Sequence, residues 1–303
     1  MIKLGTTTLP LAGWTADPRR PEESRQLRLA AIRHLVQEYG LNAVELTLDL
    51  SAIYPHLFNV DFYGRVADLQ QELGFLCTVH LPFLWVDATS LNEPVRLASL
   101  ASIRQAIEQT RDLEVYAYVL HLWGFTTTQI AAQLQEPSQR DLILGVIMAQ
   151  ADRSLGELRE ILDPPLLCIE NLEDPLFEMA VPLIEKHDTG ICMDVGHLAV
   201  QGIDELDFLA RYARRIREVH LHDAIRRSST HPQPRDHLAL GQGETEFLAL
   251  LRQLEQTGFD GPVILELNSH SDLKASLHQL GRNPYQTAPS GSSRGNASVV
   301  LPN

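Results

Sequence analysis

The chain has 303 residues, and its 25 Lys+Arg against 39 Asp+Glu give a formal charge of −14. A hydrophobic content of 44% with 21% charged residues is that of a globular protein with a full core, which sets aside disorder, collagen and coiled coil. A nucleic-acid backbone is held by clustered Lys and Arg; with only Lys3, Lys186 and Lys274 as lysines, general nucleic-acid binding is excluded as an expectation.

No stretch of about 18 apolar residues is present, so no membrane span is expected. The first residues show no charged leader followed by an apolar run, so no signal peptide is expected either. Cys77, Cys168 and Cys192 are odd in number and sit inside apolar runs. They read as reduced core residues of a cytoplasmic protein.

Short β-type runs alternate with longer helical ones. In chain order the sequence predicts strand Ile2–Thr7, helix Leu27–Tyr39, strand Ala43–Leu48, helix Phe62–Leu73, strand Leu76–Leu81 and helix Pro94–Thr110. Strand Tyr116–Leu122, helix Leu142–Leu162, strand Leu166–Asn171, helix Leu176–His187 and strand Gly190–Val195 follow. Helix Leu206–Arg215, strand Glu218–His222, helix Glu246–Gln256 and strand Val263–Leu267 complete the series.

Gly40, Gly74 and Gly258 follow helical runs, where a left-handed C-cap is expected, and Pro164-Pro165 ends a helix before the fifth strand. Strands separated by helices over about 270 residues predict a single (β/α)₈ barrel spanning residues 1–280. From Gly281 the composition shifts to Gly, Pro, Ser and Asn, and Gly281–Asn303 reads as a disordered tail.

In such barrels the reacting groups come from the C-terminal ends of strands and the loops after them. Here those ends carry Glu45, His80, His121, Glu170, Asp194, His197, His220, His222, His237 and Glu266. Residues two apart on a strand face the same way. Cys168, Cys192 and Ile264 would therefore fill the interior beneath Glu170, Asp194 and Glu266.

An unpaired buried carboxylate costs several kcal/mol, and a divalent cation is the simplest way to hold three of them together. Glu170, Asp194, His220 and Glu266 form the expected core set. Three oxygens and one imidazole suit Mn²⁺, Co²⁺, Fe²⁺ or Zn²⁺. His80 and His121 can add a second ion bridged by Glu170, and His197 and His237 can support a third or contact substrate directly. Spacing alone leaves His220 and His222 open as the imidazole ligand. Asp223 can hold an imidazole tautomer.

The loop after the seventh strand carries Arg226, Arg227 and Arg235, suited to a substrate phosphate by their bidentate fork. Phe83, Trp85 and Trp123 can wall a large ligand or pack the rim. The expected partner is a small-molecule substrate.

The motifs His80-Leu-Pro, Ile169-Glu-Asn, Asp194-Val-Gly-His, His220-Leu-His-Asp and Leu240-Gly-Gln-Gly-Glu resemble the xylose-isomerase-like barrel superfamily, over roughly residues 1–270. That group holds sugar isomerases and epimerases and the endonuclease IV type of apurinic-site nuclease. The isomerase pattern implies one metal on Glu170, Asp194, His220 and Glu266, with Glu170 and Glu266 as the acid/base pair; the motif favours His220 over His222.

The nuclease pattern adds His80, His121, His197 and His237 for three metals. It departs at one ligand: its aspartate two before His237 falls on Arg235, with Asp236 one place off. A narrower set, Thr78-Val-His-Leu-Pro, Leu120-His-Leu-Trp-Gly, Cys168-Ile-Glu-Asn-Leu, Asp194-Val-Gly-His-Leu, Val219-His-Leu-His and Arg235-Asp-His-Leu, is similar to the cobamide-remodelling phosphodiesterases. This resemblance implies cleavage of the phosphodiester in the cobamide nucleotide loop, for corrinoid salvage. Isomerisation or epimerisation of a sugar or sugar phosphate is the alternative.

Overall fold

A computed structural model describes residues 2–8, 17–173, 176–226 and 233–281. Eight parallel strands close into a barrel. They are β1 (Lys3–Thr7), β2 (Ala43–Thr47), β3 (Leu76–His80), β4 (Val115–Leu120), β5 (Leu167–Glu170), β6 (Gly190–Asp194), β7 (Ile216–Leu221) and β10 (Pro262–Leu265). Going round, the order is β1, β10, β7, β6, β5, β4, β3, β2. Each expected strand is present, with ends shifted by one or two residues. His121, His222 and Glu266 consequently lie just past their strands.

Helices wrap the barrel where the apolar spacing predicts them, and local chemistry sets their ends. The Asn59 side chain accepts from the Phe62 amide to start the helix Val60–Leu73, and Gly74 closes it at φ 71°. Gly40 and Gly258 also have positive φ. The helix expected from Leu142 begins earlier, as Pro137–Leu158, because Pro137 occupies its first turn and the Glu136 carboxylate accepts from the Ser138 amide.

Four helices escape the periodicity reading: Asp49–Ile53, Phe125–Gln133, Val195–Gln201 and His270–Gln279. The first and third are too short to show a period. The last is started by Ser269, whose hydroxyl accepts from the Asp272 amide.

The loop after β7 holds the main departure. It is not wholly irregular, since β8 (Asp223–Ile225) and β9 (Arg235–Leu238) pair antiparallel, with a register irregularity between Asp223 and Ile225. The expected tail lies, from residue 282 on, outside the described residues.

Strands covered on both faces need apolar side chains on both. Beneath the mouth, Ala117, Val119, Cys168 and Cys192 pack together with no exposure, and a larger apolar cluster surrounds the strands. All three cysteines are buried and unbridged, as expected of core thiols. Among the described residues no helix is long and apolar enough to cross a membrane.

Candidate metal centre

The acidic and imidazole side chains of the strand ends converge at the C-terminal mouth. One ligand atom each from Glu170, Asp194, His220 and Glu266 lies within 4.8 Å of the others. Among the described residues four further groups meet the same limit: His80 and His121 with Glu170, His197 with Glu173 and Asp236, His197 with His222 and His237, and Glu45 with Glu218 and His220.

Glu170 joins the first two groups. Its Oε2 is 3.3 Å from His80 Nε2 and 3.0 Å from His121 Nε2. Its Oε1 is 3.6 Å from His220 Nδ1 and 3.6 Å from His197 Nδ1. The two oxygens of one carboxylate thus face different imidazole sets.

Hydrogen bonds at the back of each ring fix which nitrogen faces inward. The Nδ1–H of His80 donates to the Leu81 carbonyl at 3.0 Å, leaving Nε2 toward Glu170. In His197, Nδ1–H donates to the Asn171 carbonyl at 3.1 Å. Asn171 also clamps Asp194: its amide donates to the Asp194 carbonyl and its Oδ1 accepts from the Asp194 amide, both at 2.9 Å. Asp194 Oδ1 accepts from the His197 amide and starts the helix Val195–Gln201.

His220 and His222 fall in different donor groups, His220 with Glu170, Asp194 and Glu266 and His222 with His197 and His237. His222 has both nitrogens engaged, Nδ1 accepting from the His237 amide at 2.9 Å and Nε2 lying 3.0 Å from Asp194 Oδ2. His220 instead turns Nδ1 to Glu266 Oε2 at 3.0 Å and Asp194 Oδ2 at 3.9 Å. His222 therefore braces Asp194 while His220 faces the carboxylates. Gly196 makes room for this: a Cβ there would fall 1.9 Å from His222 Cε1.

Asp223, expected to steady an imidazole, has another task. Its carboxylate accepts from the amides of Gly241, Gly243 and Thr245 and from the Thr245 hydroxyl, which ties down the chain after β9.

The third group contains residues that strand alternation misplaces. Asp236 Oδ1 is 3.1 Å from His237 Nδ1 and its Oδ2 is 3.8 Å from His197 Nε2. Consecutive strand residues normally face opposite ways. His237 has φ 51°, and this left-handed backbone brings both neighbours to the same site. Asp236, one place from the position that motif alignment gives, is the acid beside His197 and His237. Glu173 was missed because it lies beyond a strand end with no flanking signal.

Charge and burial act against each other throughout. Burial raises a carboxyl and lowers an imidazole. At Glu170 burial is outweighed by His121 and His220, which hold the carboxyl well below the ordinary range. At Glu266 burial is outweighed in the same way by His220 and His237. Burial opposes protonation of His80, but Glu170 lifts it to about 10. His237 rises to about 11 against burial, through Asp236 and then Glu266. The hydrogen bond with Asp236, followed by burial, pushes Glu173 up to about 7.

These residues fit a divalent ion. Glu170 Oε2, His220 Nδ1 and Glu266 Oε2 are buried without a well-formed hydrogen bond. Each such atom costs about 1–3 kcal/mol unless something fills its need. A cation among acceptor-only oxygens and an imidazole lone pair does so.

Two of the three arginines of the loop after β7, Arg226 and Arg235, lie among the described residues. Arg226 is drawn away by Glu205, whose Oε1 lies 2.6 Å from its Nη2, so its guanidinium is already paired. Arg235 is exposed at the start of β9, where its register partner is Ile225. Arg227 lies outside the described residues. Trp123 is only 1% exposed and is largely rim packing, although it lines a cleft of about 940 Å³ shared with His121 and His197. Trp85 and Phe125, 86% and 80% exposed, line the same cleft.

With this geometry in place, the family match is decisive: the xylose isomerase-like TIM barrel model covers residues 33–287. The chain belongs to that family. An uncharacterized protein of Methanocaldococcus jannaschii is 26% identical over 258 residues, covering 81% of each chain. The solved structure of a D-tagatose 3-epimerase-like protein superposes with a TM-score of 0.67 at 20% identity, covering 92% of this chain and 96% of that one. An L-ribulose 3-epimerase gives 0.64 at 18% identity, covering 92% and 86%. At these identities the two structures establish the fold alone.

Proposed function

We propose that the chain is a divalent-metal-dependent enzyme that hydrolyses a phosphodiester in a small or medium-sized molecule. The motif resemblance points to the cobamide nucleotide loop as that substrate. The observation that carries the reading is the division of Glu170, whose Oε2 faces His80 and His121 while Oε1 faces His220. One ion uses four to six donors, and the donor groups here exceed that number.

Bound divalent ions would supply a nucleophilic water at neutral pH and neutralise the charge developing on phosphoryl oxygens. The chain's own part is positioning. Glu170, Asp194, His220 and Glu266 would hold one ion, His80 and His121 would hold a second with Glu170, and His197 with Asp236 and His237 would hold a third. The cleft past His121, walled by Phe83, Trp85 and Phe125, would take the non-reacting part of the substrate and exclude water from it.

A second reading is isomerisation or epimerisation of a sugar or sugar phosphate. It is favoured by the epimerase likenesses and by the complete four-residue set. In it Glu170 and Glu266, flanking His220, would pass a proton to and from the substrate carbon.

One experiment separates them. Protein loaded with Zn²⁺, Mn²⁺ or Co²⁺ is assayed for phosphodiester cleavage of cobamides and of bis(4-nitrophenyl) phosphate, and in parallel for solvent deuterium uptake into ketoses and their phosphates. Cleavage without uptake supports the hydrolase; uptake without cleavage replaces it with the epimerase.

A further inference from the structure

Beneath the metal centre, Glu45 of β2 reaches across the barrel to the far side. β2 and β7 are not neighbours, being separated by β1 and β10. Even so, Glu45 Oε2 lies 3.1 Å from His220 Nε2, with both side chains fully buried. The opposite nitrogen, Nδ1, faces Glu266 Oε2, Glu170 Oε1 and Asp194 Oδ2 at 3.0, 3.6 and 3.9 Å.

We infer that Glu45 is a positioning residue, which holds His220 with its proton on Nε2 and so presents the Nδ1 lone pair to an ion at the four-residue group. The inference rests on the metal reading above. An ionised carboxylate only accepts, and a neutral imidazole has one donor and one acceptor nitrogen. With Nε2–H committed to Glu45, Nδ1 is the acceptor. Without Glu45 the proton is free to sit on Nδ1, hydrogen-bonded to Glu266, where it blocks the ion.

Among the described residues, Glu45 makes the hydrogen bond to Nε2, and the buried Cys192 thiol is a further neighbour of the His220 ring. Glu218 belongs to the same buried group as Glu45 and His220, but both its oxygens and the Thr78 hydroxyl lack a well-formed hydrogen bond. On the metal side, His80 stacks on His220 with ring centroids 5.9 Å apart, a contact that offers no acceptor to Nε2. Outer partners of this kind set imidazole orientation, and their loss weakens metal binding roughly 10–100-fold.

The test uses the full chain with ¹⁵N-labelled histidine, loaded with Zn²⁺. Imidazole ¹⁵N shifts report which nitrogen of His220 binds zinc, with His220→Ala assigning the signals, and chelator competition gives the zinc Kd. The wild type is expected to bind through Nδ1 with Nε2 protonated. Glu45→Gln, whose amide oxygen still accepts, keeps that pattern with a Kd within a few-fold. Glu45→Leu raises the Kd roughly 10–100-fold while the folded circular dichroism spectrum is retained.

Zinc on Nε2 in the wild type, or wild-type affinity in folded Glu45→Leu, overturns the role given to Glu45. If Glu45→Leu does not fold, the ligating nitrogen in the wild type decides. A wild type that binds no zinc sinks the metal reading itself, which is a different outcome from either.

Discussion

Glu170 and His121 meet at 3.0 Å through Oε2 and Nε2, while the other oxygen of the same carboxylate is turned to His220. A carboxylate divided in this way belongs to two donor groups at once. Its removal should empty both. Glu170→Gln is expected to lower turnover by about 10²–10⁴-fold and to reduce bound ions by more than one per chain. Steady-state kinetics with metal analysis checks this, and an unchanged circular dichroism spectrum shows that the fold persists.

The bracing of Asp194 by His222 can be probed without touching a ligand. Gly196→Ala places a methyl group against the His222 ring, so the ring must move and release Asp194 Oδ2. Zinc affinity should fall roughly 10–100-fold. Chelator competition that returns wild-type affinity in a folded variant would remove His222 from this role.

The ion-free protein should lose stability in alkali. His80 and His237 have folded-state values raised to about 10 and about 11, above the ordinary imidazole value near 6.5. Their contribution is fully present below about 6.5 and is lost as pH rises through about 10 to 11. Thermal melting of chelated protein between pH 7 and 11 should therefore show a falling Tm. With metal bound the protons are already displaced, so the fall should be much smaller. Metal affinity itself should rise with pH over the same range.

Much of this centre was legible because barrel geometry orders it. His80, Glu170 and Asp194 sit at or beside strand ends, where period-two alternation holds, and they converge as the spacing implies. The rule fails where the backbone leaves the strand conformation. Asp236 and His237 both point inward only because His237 adopts φ 51°, and no local sequence signal marks that turn. Arg226 looked free for substrate because its partner, Glu205, lies 21 residues away on another element. Glu45 was visible as a strand-end acid, but its contact with His220 spans the barrel and depends on closure.

The cleft makes a prediction of its own. Trp85 is 86% exposed beside the metal centre, so its removal should cost little stability, within about 0.5 kcal/mol. If it packs on the non-reacting part of the substrate, Trp85→Ala should raise KM roughly ten-fold at unchanged kcat, in line with an aromatic contact worth about 1.5 kcal/mol. A lowered kcat with unchanged KM would place Trp85 in the reaction rather than in binding.

The most direct test of the divided Glu170 is a count of divalent ions per chain, by plasma mass spectrometry on protein purified without chelator and then saturated with Zn²⁺ or Mn²⁺. Two or more ions are expected in the wild type, with one lost when His80 and His121 are both replaced by alanine. A single ion per chain at saturation, unchanged by that double replacement, would contradict it.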